Sequence, residues 1–243
     1  QEPVRDRLET EVADHDNLVP GFNGAAFSKH KNLLPDIIGE LWAARDEAKR
    51  KNNAAMSQAI KILMNSFYGV LGTPGCRFFD PRLPSSITLR GHEIMNQTRV
   101  LIEQQGYQVI YGDTDSIFVW LNQAINAKQA DDIGHHLAND ITSWWKQHLE
   151  TKYHLDSALE LEYENHFARF LMPTIRGSEK GSKKRYAGLV NMDGFSLQTP
   201  DQGSYKIIFK GLETVRTDWT RLAREFQKTL YERIFLNQEF KVY

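Results

Sequence analysis

Two short runs rich in β-branched and aromatic residues, 107–111 and 116–121, flank the tetrapeptide Gly112-Asp113-Thr114-Asp115. Such runs on either side of a turn-forming segment predict an antiparallel hairpin. A parallel pair would need a crossover of a dozen or more residues, so this element excludes a regular strand–helix–strand alternation at its position, and it excludes an all-helical chain outright.

Helical spacing dominates elsewhere. Over 33–51 the apolar positions Ile37, Ile38, Leu41, Trp42, Ala44 and Ala48 recur on one face, with Arg45, Lys49 and Arg50 gathered toward the end. A second helix is predicted over 54–71, so the two form a helical hairpin around Lys51-Asn52-Asn53. Gly72-Thr73-Pro74-Gly75 and Asp80-Pro81 interrupt the pattern, and Ser85 or Ser86 is expected to cap a third helix that Gly106 ends. A helix over 127–150, strands over 157–163, 166–172, 185–190 and 205–210, and a closing helix over 218–236 complete the reading. Residues 1 to about 27 carry turn signals, Pro20-Gly21 and Asn23-Gly24, without a sustained period and are expected to be a linker or cut loop. There is no internal repeat. The fold class is α+β: an antiparallel sheet covered by helices, with a two-helix hairpin.

With 41% hydrophobic residues in 243, the chain has apolar surface for a sizeable core, which excludes wholesale disorder. Its most apolar stretches are broken by charge well short of the ~18 residues a membrane span requires, so no membrane partner is expected. The one cysteine, Cys76, has no internal disulfide partner, and a reducing cytoplasm is the default. The eight histidines show no zinc spacing. Because 30 Lys and Arg nearly balance 31 Asp and Glu, a nucleic-acid partner cannot be argued from net charge, only from local clusters. The opening at Gln1 without methionine or leader reads as an excised piece.

Three constellations carry chemistry. Asp113 and Asp115, two apart on extended backbone, would point to one side roughly 7 Å apart. That arrangement fits either a solvated turn or a site for Mg²⁺ or Mn²⁺, which take carboxylate oxygens and bridge to phosphates. Lys61, Asn65 and Tyr68 share a helix face at i, i+4 and i+7, offering an ammonium, an amide and a ring; the alternative is a core tyrosine beside a solvated lysine. Arg45 and Lys49 on the neighbouring helix would add two cations for one polyphosphate. Finally, the Gly/Ser loop from Arg176 through Lys180 to Lys183-Lys184-Arg185-Tyr186 suits a phosphodiester backbone, or is simply a solvated loop.

Taken together, these residues resemble the family B DNA polymerases over most of the chain, from about Leu33 to Phe235. Lys61-x-x-x-Asn65-Ser66-x-Tyr68-Gly69 is similar to the fingers-helix motif, Tyr111-Gly112-Asp113-Thr114-Asp115-Ser116 to the palm metal motif, and Lys183-Lys184-Arg185-Tyr186 to the K-K-x-Y primer-duplex motif. All three stand in family order. Phe78-Phe79-Asp80-Pro81-Arg82 and Lys210-Gly211-Leu212-Glu213-Thr214-Val215-Arg216-x-Asp218-Trp219 resemble a bacterial branch in particular.

The resemblance implies an order of linker (1–30), fingers hairpin (31–71), palm (72–215) and start of a thumb (216–243). It implies a DNA-directed DNA polymerase that adds a dNMP to a primer 3′-hydroxyl with two metals, Mg²⁺ or alternatively Mn²⁺, in replication or repair synthesis. Arg45, Lys49 and Lys61 would grip the dNTP, with Asn65 beside it and Tyr68 at the nascent base pair. Asp115 and Asp113 would be the catalytic metal ligands, while Lys183, Lys184, Arg185 and Tyr186 would hold primer–template DNA. A bacterial cytoplasm near the nucleoid is expected, with a sliding clamp as a further partner of a full-length protein. One departure stands out: the family's D-x-x-S-L-Y-P motif, with its own metal-binding aspartate, is absent from these residues, so little or no polymerase activity is expected of them alone. The competing classes are a nucleotide-sugar transferase with a D-x-D metal turn and a non-catalytic nucleic-acid-binding module.

Overall fold

The computed structural model describes residues 17–30, 33–122, 126–174, 177, 181–182, 184–191 and 204–238. They form five α-helices and three small antiparallel sheets, the expected α+β class. By contact the chain divides into two compact units, Gln1–Thr98 with Leu149–Asp156, and Arg99–His148 with Ser157–Tyr243.

In the first unit, strand β1 (Leu18–Pro20) pairs with β2 (Ala26–Ser28) where the sequence suggested only loop. Asn23 and Gly24 take the left-handed backbone that reverses the chain, and Gly21 donates its amide to Ala25 at 2.9 Å. Helix α1 (Leu34–Arg50) has Asp36 in its first turn and Lys49 and Arg50 in its last, both favourable to the helix dipole. Asn52, at φ 54°, turns the chain, and the Asn53 side chain caps α2 (Ala54–Leu71) by accepting the Met56 amide. These helices pair as the predicted hairpin. Helix α3 (Arg82–Gln104) begins earlier than predicted. Its start is capped by the Asp80 carboxylate, which accepts the Arg82 amide at 2.9 Å. Neither Ser85 nor Ser86 is a cap: Ser85 bonds back to the Pro81 carbonyl, and Ser86 accepts the Phe22 amide and so ties down the first hairpin.

In the second unit, β3 (Gln108–Asp113) and β4 (Ser116–Trp120) form the predicted hairpin. Helix α4 (Ala127–Tyr153) buries Ala130, Leu137, Ile141 and Trp145 along one stripe. Strands β5 (Phe167–Leu171), β6 (Tyr186–Asn191) and β7 (Tyr205–Lys210) form a three-stranded meander in chain order. The strand expected over 157–163 does not form. That segment lies along α4 instead, with the Leu161 amide satisfied by Thr142 Oγ1 and the Tyr163 hydroxyl donating to Asp131 at 2.6 Å. Its alternating apolar residues find a helix to cover rather than a strand to pair.

The meander uses both faces, as strand alternation requires. Ala187 and Leu189 are fully buried in a core with Leu212 and with Tyr231 and Phe235 of α5 (Arg221–Phe235). Their neighbour Tyr186 instead joins a cluster with Tyr111, Phe118, Phe167 and Phe170, in which Phe118 reaches all four other rings. This cluster fastens the β3–β4 hairpin to the sheet. Gly188 on the same face has no room for a Cβ, because the Phe167 ring occupies that space. Among the described residues no helix is long and apolar enough to cross a membrane.

Candidate functional site

The carboxylate turn differs from the extended picture. Thr114 adopts φ 52° and the Asp115 amide donates to the Asp113 carbonyl at 2.5 Å, so the chain reverses between the two aspartates. A β-branched residue is rare in this conformation, which costs about 1–2 kcal/mol for L-residues. The two aspartates therefore differ in setting. Asp113 is half-buried and accepts from Thr114 Oγ1 at 3.1 Å, while Asp115 is exposed beside Ser116 Oγ at 3.4 Å.

The Lys184-Arg185-Tyr186 segment comes to this turn. The Tyr111 hydroxyl accepts the Lys184 amide at 2.7 Å, and Lys184 Nζ stands 3.6 Å from Asp113 Oδ1. Lys184 itself has φ 62°. The backbone of Gly211, at φ 61°, presses on the Lys184 carbonyl, and any side chain there would collide with it. Arg185 pairs with Glu213, whose other oxygen accepts from Gln227 at 2.6 Å, and Gln227 in turn accepts both the amide and the hydroxyl of Thr214. Burial alone would raise the Glu213 carboxyl. Hydrogen bonds from Gln227, its own backbone amide and Arg185 outweigh that and hold the group below its ordinary value of 4.5. The Tyr186 hydroxyl is pushed up by burial and then by the charges of Glu164, Tyr111 and Asp113.

Lys183 lies outside the described residues, as do Arg176 and Lys180. The helical-hairpin candidates belong to the other compact unit. There Lys61, Asn65 and Tyr68 are all exposed on α2, and Tyr68 exchanges a hydrogen bond with Thr88 Oγ1 at 2.8 Å. On α1, Lys49 lies 3.6 Å from Asp46, and Arg45 buries its Nε without a partner among the described residues.

Two carboxylates suit a hard divalent cation that draws its other ligands from phosphates and water. Among the described residues no group of three His, Cys, Asp or Glu side chains adds a closed metal cage. Four residues were given no role by the sequence reading: Tyr111 as an acceptor, Gly211, Glu213 and Gln227. Tyr111 and Lys184 are 73 residues apart, and no periodicity links them.

The family model for DNA polymerase family B matches residues 7–242. DNA polymerase II of Escherichia coli (strain K12) is 56% identical over 230 residues, covering 95% of this chain and 28% of that protein. DNA polymerase 1 of Pyrococcus abyssi is 27% identical over 240 residues, covering 94% of the chain and 27% of that protein. The structure of the family B DNA polymerase from the hyperthermophilic archaeon Pyrobaculum calidifontis aligns with a TM-score of 0.53 at 24% identity, over 94% of this chain and 26% of that one, a likeness of fold. The chain thus spans less than a third of the length of these relatives.

Proposed function

The chain belongs to DNA polymerase family B, and from that premise we propose that it carries the fingers hairpin, much of the palm and the start of the thumb of a template-directed DNA polymerase. The observation that carries this reading is the meeting of the carboxylate turn with the Lys184-Arg185-Tyr186 segment, Lys184 Nζ being 3.6 Å from Asp113. A metal ligand set and a phosphate-binding strand are of use to the same reaction only if they lie side by side.

In this reading Asp115 and Asp113 hold Mg²⁺, or Mn²⁺ in its place. When bound, the divalent cations would lower the pKa of the primer 3′-hydroxyl and offset charge on the leaving pyrophosphate. The residues of this chain orient the reactants. Lys184, Arg185 and Tyr186, with Lys183, hold the primer strand through its backbone, a contact independent of sequence. Arg45, Lys49 and Lys61 bind the triphosphate of the incoming dNTP, Asn65 sits beside it, and Tyr68 packs against the nascent base pair. Closure of the helical hairpin would align the hydroxyl with the α-phosphorus for in-line attack. With two carboxylates and no D-x-x-S-L-Y-P, these 243 residues bind primer–template and nucleotide weakly and extend little.

The test is anisotropy of a labelled primer–template. Asp115→Ala should remove the dependence of binding on Mg²⁺, and Lys184→Ala should weaken binding and flatten its salt slope by about one. Binding indifferent to divalent ions and to Asp115→Ala would indicate a non-catalytic nucleic-acid module. Primer extension by these residues at an ordinary rate would refute the predicted inactivity.

A further inference from the structure

Lys184 has two claims on its charge. Its segment is placed to meet a nucleic-acid phosphate, yet in this structure its ammonium faces the Asp113 carboxylate at 3.6 Å. The pairing is built rather than incidental. The Lys184 amide is held by Tyr111, two residues before Asp113 on the same strand. Gly211, left-handed and without a side chain, is what lets the Lys184 carbonyl settle where it does. The two partners differ in freedom: the Asp113 side chain is 22% exposed and that of Lys184 67%. Asp113 is thus held, half-buried and bonded to Thr114, whereas the exposed lysine stem is free to swing.

We infer that Lys184 is the resident counter-cation of Asp113, displaced from it by a divalent cation on one side and by a duplex phosphate on the other. This rests on the metal-binding reading of the turn. A cation arriving at Asp113 takes over the neutralisation that Lys184 had supplied and releases the ammonium toward the primer. A phosphate that draws Lys184 away leaves Asp113 open to a cation. By linkage the two effects are equal, so metal and duplex strengthen each other's binding through one side chain. Without such a device, Mg²⁺ would only compete with the protein for the duplex.

The experiment is Mn²⁺ binding to the 243-residue chain, by calorimetry and by the paramagnetic resonance of free Mn²⁺, without DNA. Removing the competitor with Lys184→Met should tighten Mn²⁺ binding by about two- to five-fold at low ionic strength, the range expected of a partly exposed pair. Added salt should close the gap, Lys184→Arg should restore wild-type affinity, and Lys206→Met, an exposed lysine on β7, should change nothing. An Asp115-dependent Mn²⁺ affinity that Lys184→Met leaves unchanged or weakens overturns the inference while the metal reading stands. Mn²⁺ uptake that Asp115→Ala leaves untouched overturns both.

Discussion

Removing the Phe118 ring should cost this protein more than any other single truncation in the carboxylate hairpin. Phe118 is the hub of the cluster that joins β3–β4 to the meander, with centroids 5.3 Å from Tyr111, 5.2 Å from Phe170, 5.1 Å from Tyr186 and 6.2 Å from Phe167. All four fall in the range where ring pairs add about 0.5–1.5 kcal/mol each beyond the area they bury. Phe→Ala in a closed core costs about 3–5 kcal/mol. Because Phe118 is half-buried, the cost shifts below that of a closed core, and we expect about 2–4 kcal/mol for Phe118→Ala. With a urea slope of about 2–3 kcal/mol per molar, the midpoint should fall by about 1 M. The control is Phe226→Ala on α5, where the ring is 68% exposed and the loss should stay within about 0.5 kcal/mol. Urea unfolding followed by tryptophan fluorescence compares the two. A Phe118→Ala midpoint no lower than that of Phe226→Ala would refute the claim that this cluster anchors the hairpin.

Gly211→Ala should lose at least about 1–2 kcal/mol from its left-handed backbone alone. It should also displace Lys184, read as faster amide exchange at that residue. For Glu213 the folded group titrates below the unfolded one, so its stabilisation is present above pH 4.5 and is lost as pH falls through the depressed value; Glu213→Gln should flatten the fall in urea midpoint as pH drops below 4.5. Tyr205 behaves with the opposite sign. Its hydroxyl, donating to Glu232 and partly buried, is pushed up from 10.0 to about 12, so the stabilisation holds below pH 10.0, fades as pH rises through the higher value, and should vanish from the alkaline limb in Tyr205→Phe. In a polymerase that contains this segment, Lys61→Ala should raise KM for dNTP with duplex affinity nearly intact, and Lys184→Ala should do the reverse. Equal effects of both substitutions in both assays would undo that division.

The elements that the sequence made legible are those whose partners are close in the chain. The hairpin around Gly112-Asp113, the helix pair around Asn52 and the three meander strands each announce themselves by their own period and turn residues. Segment 157–163 misled because alternation suits any apolar surface, and here that surface is α4 with Thr142 as amide partner. Residues 18–28 were hidden because two three-residue strands are too short to show a period, and their support comes from Ser86 and Arg90, more than sixty positions away. The site divided in the same way. Residue chemistry and then resemblance singled out the aspartates and the basic segment, and the local pattern announced the turn, but the left-handed Thr114 inside it and the Tyr111–Lys184 bond were not legible there.

The order of the strands has a kinetic consequence. Every ladder among the described residues joins neighbours in the chain, β1 to β2, β3 to β4, and β5 through β6 to β7. Contact order within each sheet is therefore low, and each can close without waiting for a distant segment. The bond from Lys184 to Tyr111 must instead close a loop of 73 residues, whose entropy is recovered only once both ends are already shaped. During refolding, sheet signal should precede protection of the Lys184 amide: the chain finishes the two halves of its site separately and joins them last.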